Sequence, residues 1–422
     1  QVLALTCWRF RLSQGGEDRS RLRDFAPDGG SNLDARLPVA EVRTTSELSL
    51  LPKLTWLEFK RIVVSIPFVL IVACGVGFVI VSFTTMQAMF GTSVYPVTAV
   101  VSEIARGTFT LFMMIIIIVY SGQLVWRERE LGMEQLFDAQ PISTWLPFVS
   151  KTTALILVQA FLLFIVMITG AAMQTAQGYF DYEWGVYAKD LFGIQFINLA
   201  LISVLAMLVQ VLVNHKYVGH FVMVLYFLAN VFTSNLGWDH HLYHYASRPG
   251  YKYSDMNGFG HFLYGIRWFQ IYWVLFAILL AIVCKLFWVR GAETTISARL
   301  DEARHRLTKA VGATVLAICL SLVAVGGFIF HNTNVLNDYQ TNSAGRKVRA
   351  DYEKTYKSYQ SLPQPRITAI KLDVDIHPGN RRIETEGIYE LLNKTDQPVK
   401  SVLVNLPTQD IKIRRLKLGD QS

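Results

Sequence analysis

The chain has 422 residues, 52% of them hydrophobic, a mean hydropathy of +0.32 and a formal net charge of +8. That apolar content argues against one soluble domain of this length. The Lys and Arg residues flank apolar stretches instead of forming a continuous basic face, which argues against nucleic acid as a partner.

Residues 1–11 read as the tail of a preceding membrane helix leaving the bilayer at Arg9 and Arg11, so the chain is expected to be an internal fragment of a longer polypeptide. Residues 12–52 are polar and rich in Gly, Asp, Arg and Ser, the composition of a cytoplasmic linker. In residues 52–61, Leu54, Trp56, Leu57 and Phe59 stand among Lys53, Lys60 and Arg61. This fits either an interfacial helix lying along the headgroups or the first turns of the next span.

A hydrocarbon core about 30 Å thick requires roughly 20 apolar residues per helix. Seven segments qualify: 62–83, 107–125, 152–172, 191–213, 218–236, 269–288 and 311–330. Only helices and closed barrels satisfy their backbone inside lipid, and segments this continuously apolar read as helices. Lys53, Lys60, Arg61, Arg127, Arg129, Lys151, Lys216 and the basic run 290–309 fall on one side of the alternation, predicting that side as cytoplasmic. Asp181, Glu183 and Asp190 fall on the other, as does everything after the seventh span. Tyr179, Tyr182, Trp184 and Tyr187 are expected at headgroup level. The longest outer loop, 237–268, holds Asp239, His240 and His244, then Ser254, Asp255, Asn257 and Gly258. His240 and His244 have helical metal-ligand spacing, but no third ligand is placed, and a re-entrant cap with hydrated histidines is the expectation. Residues 290–310 are expected to form an inner amphipathic helix with Leu300, Ala303 and Leu307 recurring.

After residue 330 the composition turns polar, and Tyr352, Tyr356 and Tyr359 share one helical face before Pro363 and Pro365. Strand alternation follows: Ile370, Leu372, Val374 and Ile376, a turn at Pro378-Gly379-Asn380, then Ile383, Thr385, Gly387, Tyr389 and Leu391. Segments 399–406 and 411–418 are expected to add two strands, making 363–422 the start of an all-β domain.

The chain contains no GxxxxGK[ST] and no HExxH. The predicted spans carry almost no ionisable residue, Lys285 near an inner end being the main exception. That argues against an ion-coupled carrier, which usually needs charges at depth. Gln123, Gln159, Gln195, Asn198, Gln210 and Asn230 serve either as interhelical bonds or as pathway lining, the first being favoured. Gly75, Gly77, Gly326 and Gly327 are read as sites of close helix approach. The four cysteines, Cys7, Cys74, Cys284 and Cys319, show neither metal spacing nor a paired framework.

The charged stretch 127–142, between the second and third spans, holds Glu128, Glu130 and Glu134 with an apolar set Met133, Leu136 and Phe137 at helical spacing, and Pro141 as its stop. It reads as a short helix at the cytoplasmic face, fitted to receive a soluble partner. Glu128, Glu130, Gly132 and Pro141 resemble the E-x-E-x-G…P segment of ABC-2-type exporter permeases over residues 53–290. That resemblance implies a six-span permease half in 53–290, a coupling role for 127–142 on a separate ATPase subunit that holds ATP, and a second permease half in the same polypeptide or a homodimer. Residues 291–336 would then be the inner helix and seventh span, and 337–362 an extracytoplasmic linker helix. Ser254 to Gly260 resembles permeases fused to an aminopeptidase, and 363–422 resembles the opening of the aminopeptidase N (gluzincin) β-domain. That implies zinc only in a part absent from this chain, with no catalytic residue, metal ligand or cofactor site in the sequence at hand. The resemblance places the protein in a bacterial inner membrane with its C-terminus outside the cytoplasm. The alternative is a membrane anchor for a zinc aminopeptidase-like ectodomain with vestigial transport.

Overall fold

A computed structural model of the protein describes residues 46–86, 95–233, 237–290, 295–337, 339–380, 382–404 and 411–419. The expected tail at 1–11 with Cys7, and most of the expected linker, lie outside the described residues.

Seven helices are long and apolar enough to cross a membrane, and each of the seven segments read from hydropathy is one of them. They are α2 (Ile66–Met86), α3 (Thr98–Glu130), α5 (Trp145–Ala176), α6 (Trp184–Val213), α7 (Lys216–Thr233), α8 (Phe262–Leu286) and α10 (Lys309–Phe330, running on as a π-helix to Val335). Several outrun the apolar window. α3 continues through Glu103 and Arg106 at one end and to Glu130 at the other, because backbone hydrogen bonding does not stop where hydropathy falls.

α1 (Glu47–Val63) begins inside the expected linker and ends at a break over Val64 and Ser65, so it is separate from the first span. The Ser65 hydroxyl caps the Ile62 carbonyl at 2.7 Å and meets the Tyr120 hydroxyl at 2.6 Å. Trp56 and Leu57 remain exposed beside Lys53 and Lys60, whereas Thr55, Glu58 and Ile62 are buried. That division of faces suits a helix lying in a headgroup layer.

The core lies among α3, α5 and α6. Phe109, Met113, Ile116 and Ile117 of α3 pack with Leu155, Val158, Leu162 and Val166 of α5 and with Leu199, Ala206 and Met207 of α6, all fully buried. Half of the apolar window of α5 and α6 is buried but only 6% of that of α10, which leaves α10 at the periphery against α8. Its exposed Leu316, Leu320 and Val323 present the surface a lipid chain would cover. Of the four glycines read as close-approach sites, Gly75 is one, its added Cβ falling 2.6 Å from the Phe109 ring, and Gly326 another, 3.1 Å from Tyr272. Nothing lies near Gly77 or Gly327, so those two glycines are not approach points.

Beyond the bundle, α11 (Asn342–Tyr356) sets Tyr352 and Tyr356 side by side with ring centroids 4.8 Å apart and planes tilted by 47°, and Tyr356 lies 6.4 Å from Tyr359. β1 (Arg366–His377) and β2 (Arg382–Leu392) form an antiparallel hairpin with Ile370 opposite Tyr389, Leu372 opposite Gly387 and Ile376 opposite Ile383. The apolar face read from the alternation is present and exposed. Residues 399–404 and 411–417 are not strands, contrary to expectation, and 405–410 lie outside the described residues. A two-stranded hairpin offers only one edge pair on which to add strands, and one alone is marginal in water.

Candidate functional site

The connection between α3 and α5 is built from three pieces. Glu128 and Glu130 belong to the last turn of α3, not to the short helix. Gly132 then turns the chain at φ +65°, a left-handed conformation that glycine adopts without strain. Only Glu134–Asp138 is helical (α4), with Met133 as its N-cap, and Pro141 lies three residues past its end.

This connection is clamped to the bundle. Arg290, just past α8, donates to the carbonyls of Asp138 at 3.0 Å, of Ile142 at 2.6 Å and of Gln140. The Lys151 ammonium meets Glu128 at 2.7 Å, and the Lys216 ammonium meets Glu130 at 2.7 and 3.0 Å. Two of the three glutamates expected to supply docking charge, Glu128 and Glu130, are therefore bonded within the chain. Arg127 lies 3.6 Å from Glu58 of α1, and the Arg129 guanidinium donates to Asn214, whose φ of 55° ends α6.

The expected apolar stripe divides. Met133 and Leu136 are exposed, together with Leu131, which sequence reasoning did not single out. Phe137 is half-buried under the Lys151 ammonium, 5.8 Å from its ring centroid. Glu134 is half-buried with Oε2 making no hydrogen bond.

The basic residues at this end also satisfy helix C-termini. Arg299 in α9 (Ile296–Arg306) donates to the carbonyls of Val211 at 2.6 Å, Leu212 and Phe287, and Arg306 to those of Leu286 and Trp288. Cations belong there because the last carbonyls of a helix carry its negative end. α9 therefore turns Arg299 and Arg306 inward with Ala303, while Leu300 and, just past the helix, Leu307 are exposed, so the three apolar residues do not share one environment.

At the opposite end, residues 237–261 form turns. His240 and His244 share no helix face. His240 is buried, with Nε2 3.1 Å from the Thr333 hydroxyl, while His244 bonds Asn230 at 2.9 Å and the Trp238 carbonyl. Burial lowers the affinity of His240 and His241 for protons, and the buried His240 departs from the expectation of a hydrated histidine. Asp239 accepts from the Asn342 amide at the start of α11. Ser254 and Gly258 pair in a tight hairpin that carries Asp255 and Asn257 and leaves Met256 at a fully exposed tip. Among the described residues no group of three or more His, Cys, Asp or Glu side chains converges.

The same end holds a charged cluster that the hydropathy reading missed. It lies on helical extensions outside the expected spans, in Arg106 of α3 and Asp190 of α6. Asp190 is buried in a π-helical stretch, Ala188–Gln195. It accepts from the Ser102 hydroxyl at 2.6 Å and from the Tyr251 hydroxyl, and lies 3.3 Å from Arg106 Nε. Burial first, and the Asp190 carboxylate next, push the Tyr251 phenol up, which keeps it a donor. Arg248 donates to Gln195 at 2.8 Å and lies over the Tyr251 ring. Tyr187, expected at headgroup level, is fully buried and donates to Gln174 at 2.8 Å.

No family model matches this chain, and the searches of curated proteins and of solved structures returned no match.

Proposed function

We propose that the chain is a membrane-embedded permease subunit of an ATP-driven exporter, moved by a separate ATPase subunit that docks on the segment 127–142. The observation that supports this reading most is the exposure of Leu131, Met133 and Leu136 on a connection tied to three spanning helices through Arg290, Lys151 and Lys216. A force applied to that apolar tip would reach α5, α7 and α8, as well as α3 from which it continues, without first bending a loose loop. On this reading the tip faces the cytoplasm of a bacterial cell and the hairpin β1–β2 lies outside it. The alternative, an anchor for a peptidase-like ectodomain, draws on the exposed apolar face of that hairpin but gives no role to the clamped tip.

The test uses membranes containing this chain and a Walker-motif ATPase sought among its neighbouring reading frames, reading ATP hydrolysis stimulated by the chain. Met133→Asp with Leu136→Asp abolishes stimulation while the bundle stays folded. Glu130→Lys alone impairs it by setting two ammonium groups together, and Glu130→Lys with Lys216→Glu restores it. Full stimulation by the double aspartate variant would overturn the proposal.

A further inference from the structure

We propose that the cavity beside Asp190 binds a singly charged oxyanion, either the carboxylate of a small solute or the phosphodiester of an anionic lipid headgroup. The cavity measures about 360 Å³ and is lined by Arg106, Asn198 and the loop from Ala246 to Tyr251. That volume falls at the lower end of the range for small-ligand pockets, about 300–1,000 Å³.

The charges do not balance. Arg106 and Arg248 bring two positive charges, both lying over the Tyr251 ring at 5.2 and 4.7 Å. Asp190 brings one negative charge, and its oxygens are already engaged by Ser102 and Tyr251. Among the described residues Arg248 forms no ion pair; burial first, and the neighbouring Arg106 as well, disfavour its charge, against a smaller favourable pull from Tyr251 and Asp190. One monoanion neutralises the site.

The hydrogen bonding is equally incomplete. Arg248 donates through Nη2 to Gln195, and the Tyr251 side chain also engages its guanidinium. Arg106 approaches Asp190 through Nε, yet that N–H makes no hydrogen bond, and Nε of Arg248 and Oδ1 of Asn198 are likewise buried without a partner. The terminal nitrogens Nη1 and Nη2 of Arg106 donate to no acceptor among the described residues. A planar guanidinium edge matches the two oxygens of a carboxylate or phosphodiester. Both guanidiniums are partly buried; charges withdrawn from water are ordinarily paired, and this site supplies one carboxylate for two cations. The inference stands independently of the exporter reading, since it concerns the other end of the bundle.

The experiment follows thermal unfolding of the full chain by tryptophan fluorescence in nanodiscs of neutral phosphatidylcholine. N-acetylglycinate is titrated against the neutral N-acetylglycinamide at matched ionic strength, and separate nanodiscs contain phosphatidylglycerol. A solute site gives a saturable rise in unfolding temperature with the acid and none with the amide. A lipid site gives a higher unfolding temperature in phosphatidylglycerol and no further response to the acid. In either case Arg248→Gln weakens the effect roughly tenfold or more, as expected for loss of a charge-assisted contact. Arg248→Lys, which keeps the charge without the planar edge, falls between. Equal responses to acid and amide with no preference for phosphatidylglycerol would overturn the proposal. So would an unchanged response in a cooperatively unfolding Arg248→Gln variant.

Discussion

The Lys151 ammonium lies 2.7 Å from Glu128 Oε2, joining the start of α5 to the end of α3 across the connection that carries α4. Lys151 is 5% exposed and Glu128 20%. Lys151→Met leaves that carboxylate without its cation. Removing one partner of a buried pair costs about 3–5 kcal/mol, and the exposure of Glu128 brings the expected loss to about 2 kcal/mol. Glu128→Met with Lys151→Met recovers most of it, and a cycle of unfolding measurements in detergent reads the coupling. A double variant no more stable than Lys151→Met would show that the pair is not the source.

Gly122 of α3 faces His220 of α7, whose ring carbon would lie 2.2 Å from an added Cβ. His220 is itself held 3.0 Å from Gln210 Nε2. Gly122→Ala is expected to lower stability by about 1–3 kcal/mol through overpacking. Gly107→Ala, with nothing within 4 Å of its Cβ, is expected to be neutral or up to about 1 kcal/mol more stable. Comparable losses in both would refute the packing argument.

Burial lowers the proton affinity of His240 and His241 below the ordinary histidine value. The unfolded chain then binds more protons than the folded one as pH falls below about 6.5, so stability is full above that pH and declines beneath it. His241→Gln, which can still bond Ser247, should flatten the decline. The unfolding temperature of both proteins across this range provides the check, and identical profiles would exclude His241 as a contributor.

Leu136 and Met256 lie at opposite ends of the bundle, and both are exposed. With the four native cysteines replaced by alanine, Leu136→Cys and Met256→Cys should react with a membrane-impermeant maleimide from opposite sides of sealed vesicles. Labelling of both from one side would contradict the alternation of the seven helices.

The membrane helices were legible because their apolar windows are long, and the hairpin because its alternation is strict from Ile370 to Ile376. The helix ends were not. Arg106 and Asp190 sit on α3 and α6 beyond the windows, where hydropathy cannot distinguish a charged loop from a charged helical turn paired across the bundle. Glu128 and Glu130 were read as docking groups because their partners, Lys151 and Lys216, are 23 and 86 residues away in sequence. The polar residues divide similarly: Gln210 of α6 bonds Trp126 of α3 across helices as expected, whereas Asn230 bonds Tyr226 of its own helix and His244 of the loop, Gln195 bonds Arg248 of the loop, and buried Gln159 bonds none among the described residues.

The widened turn at Ala188–Gln195 has a consequence for how α6 tolerates change. A π-helical stretch accommodates an extra residue without unravelling the helix on either side. Deleting one residue there would regularise the coil and swing everything before it by about 100° about the axis. Asp190 would then leave Ser102, Arg106 and Tyr251 while the half from Phe196 onward kept its seat. The two ends of this span can thus be re-indexed against each other, so one insertion or deletion can retune the charged pocket without redesigning the core.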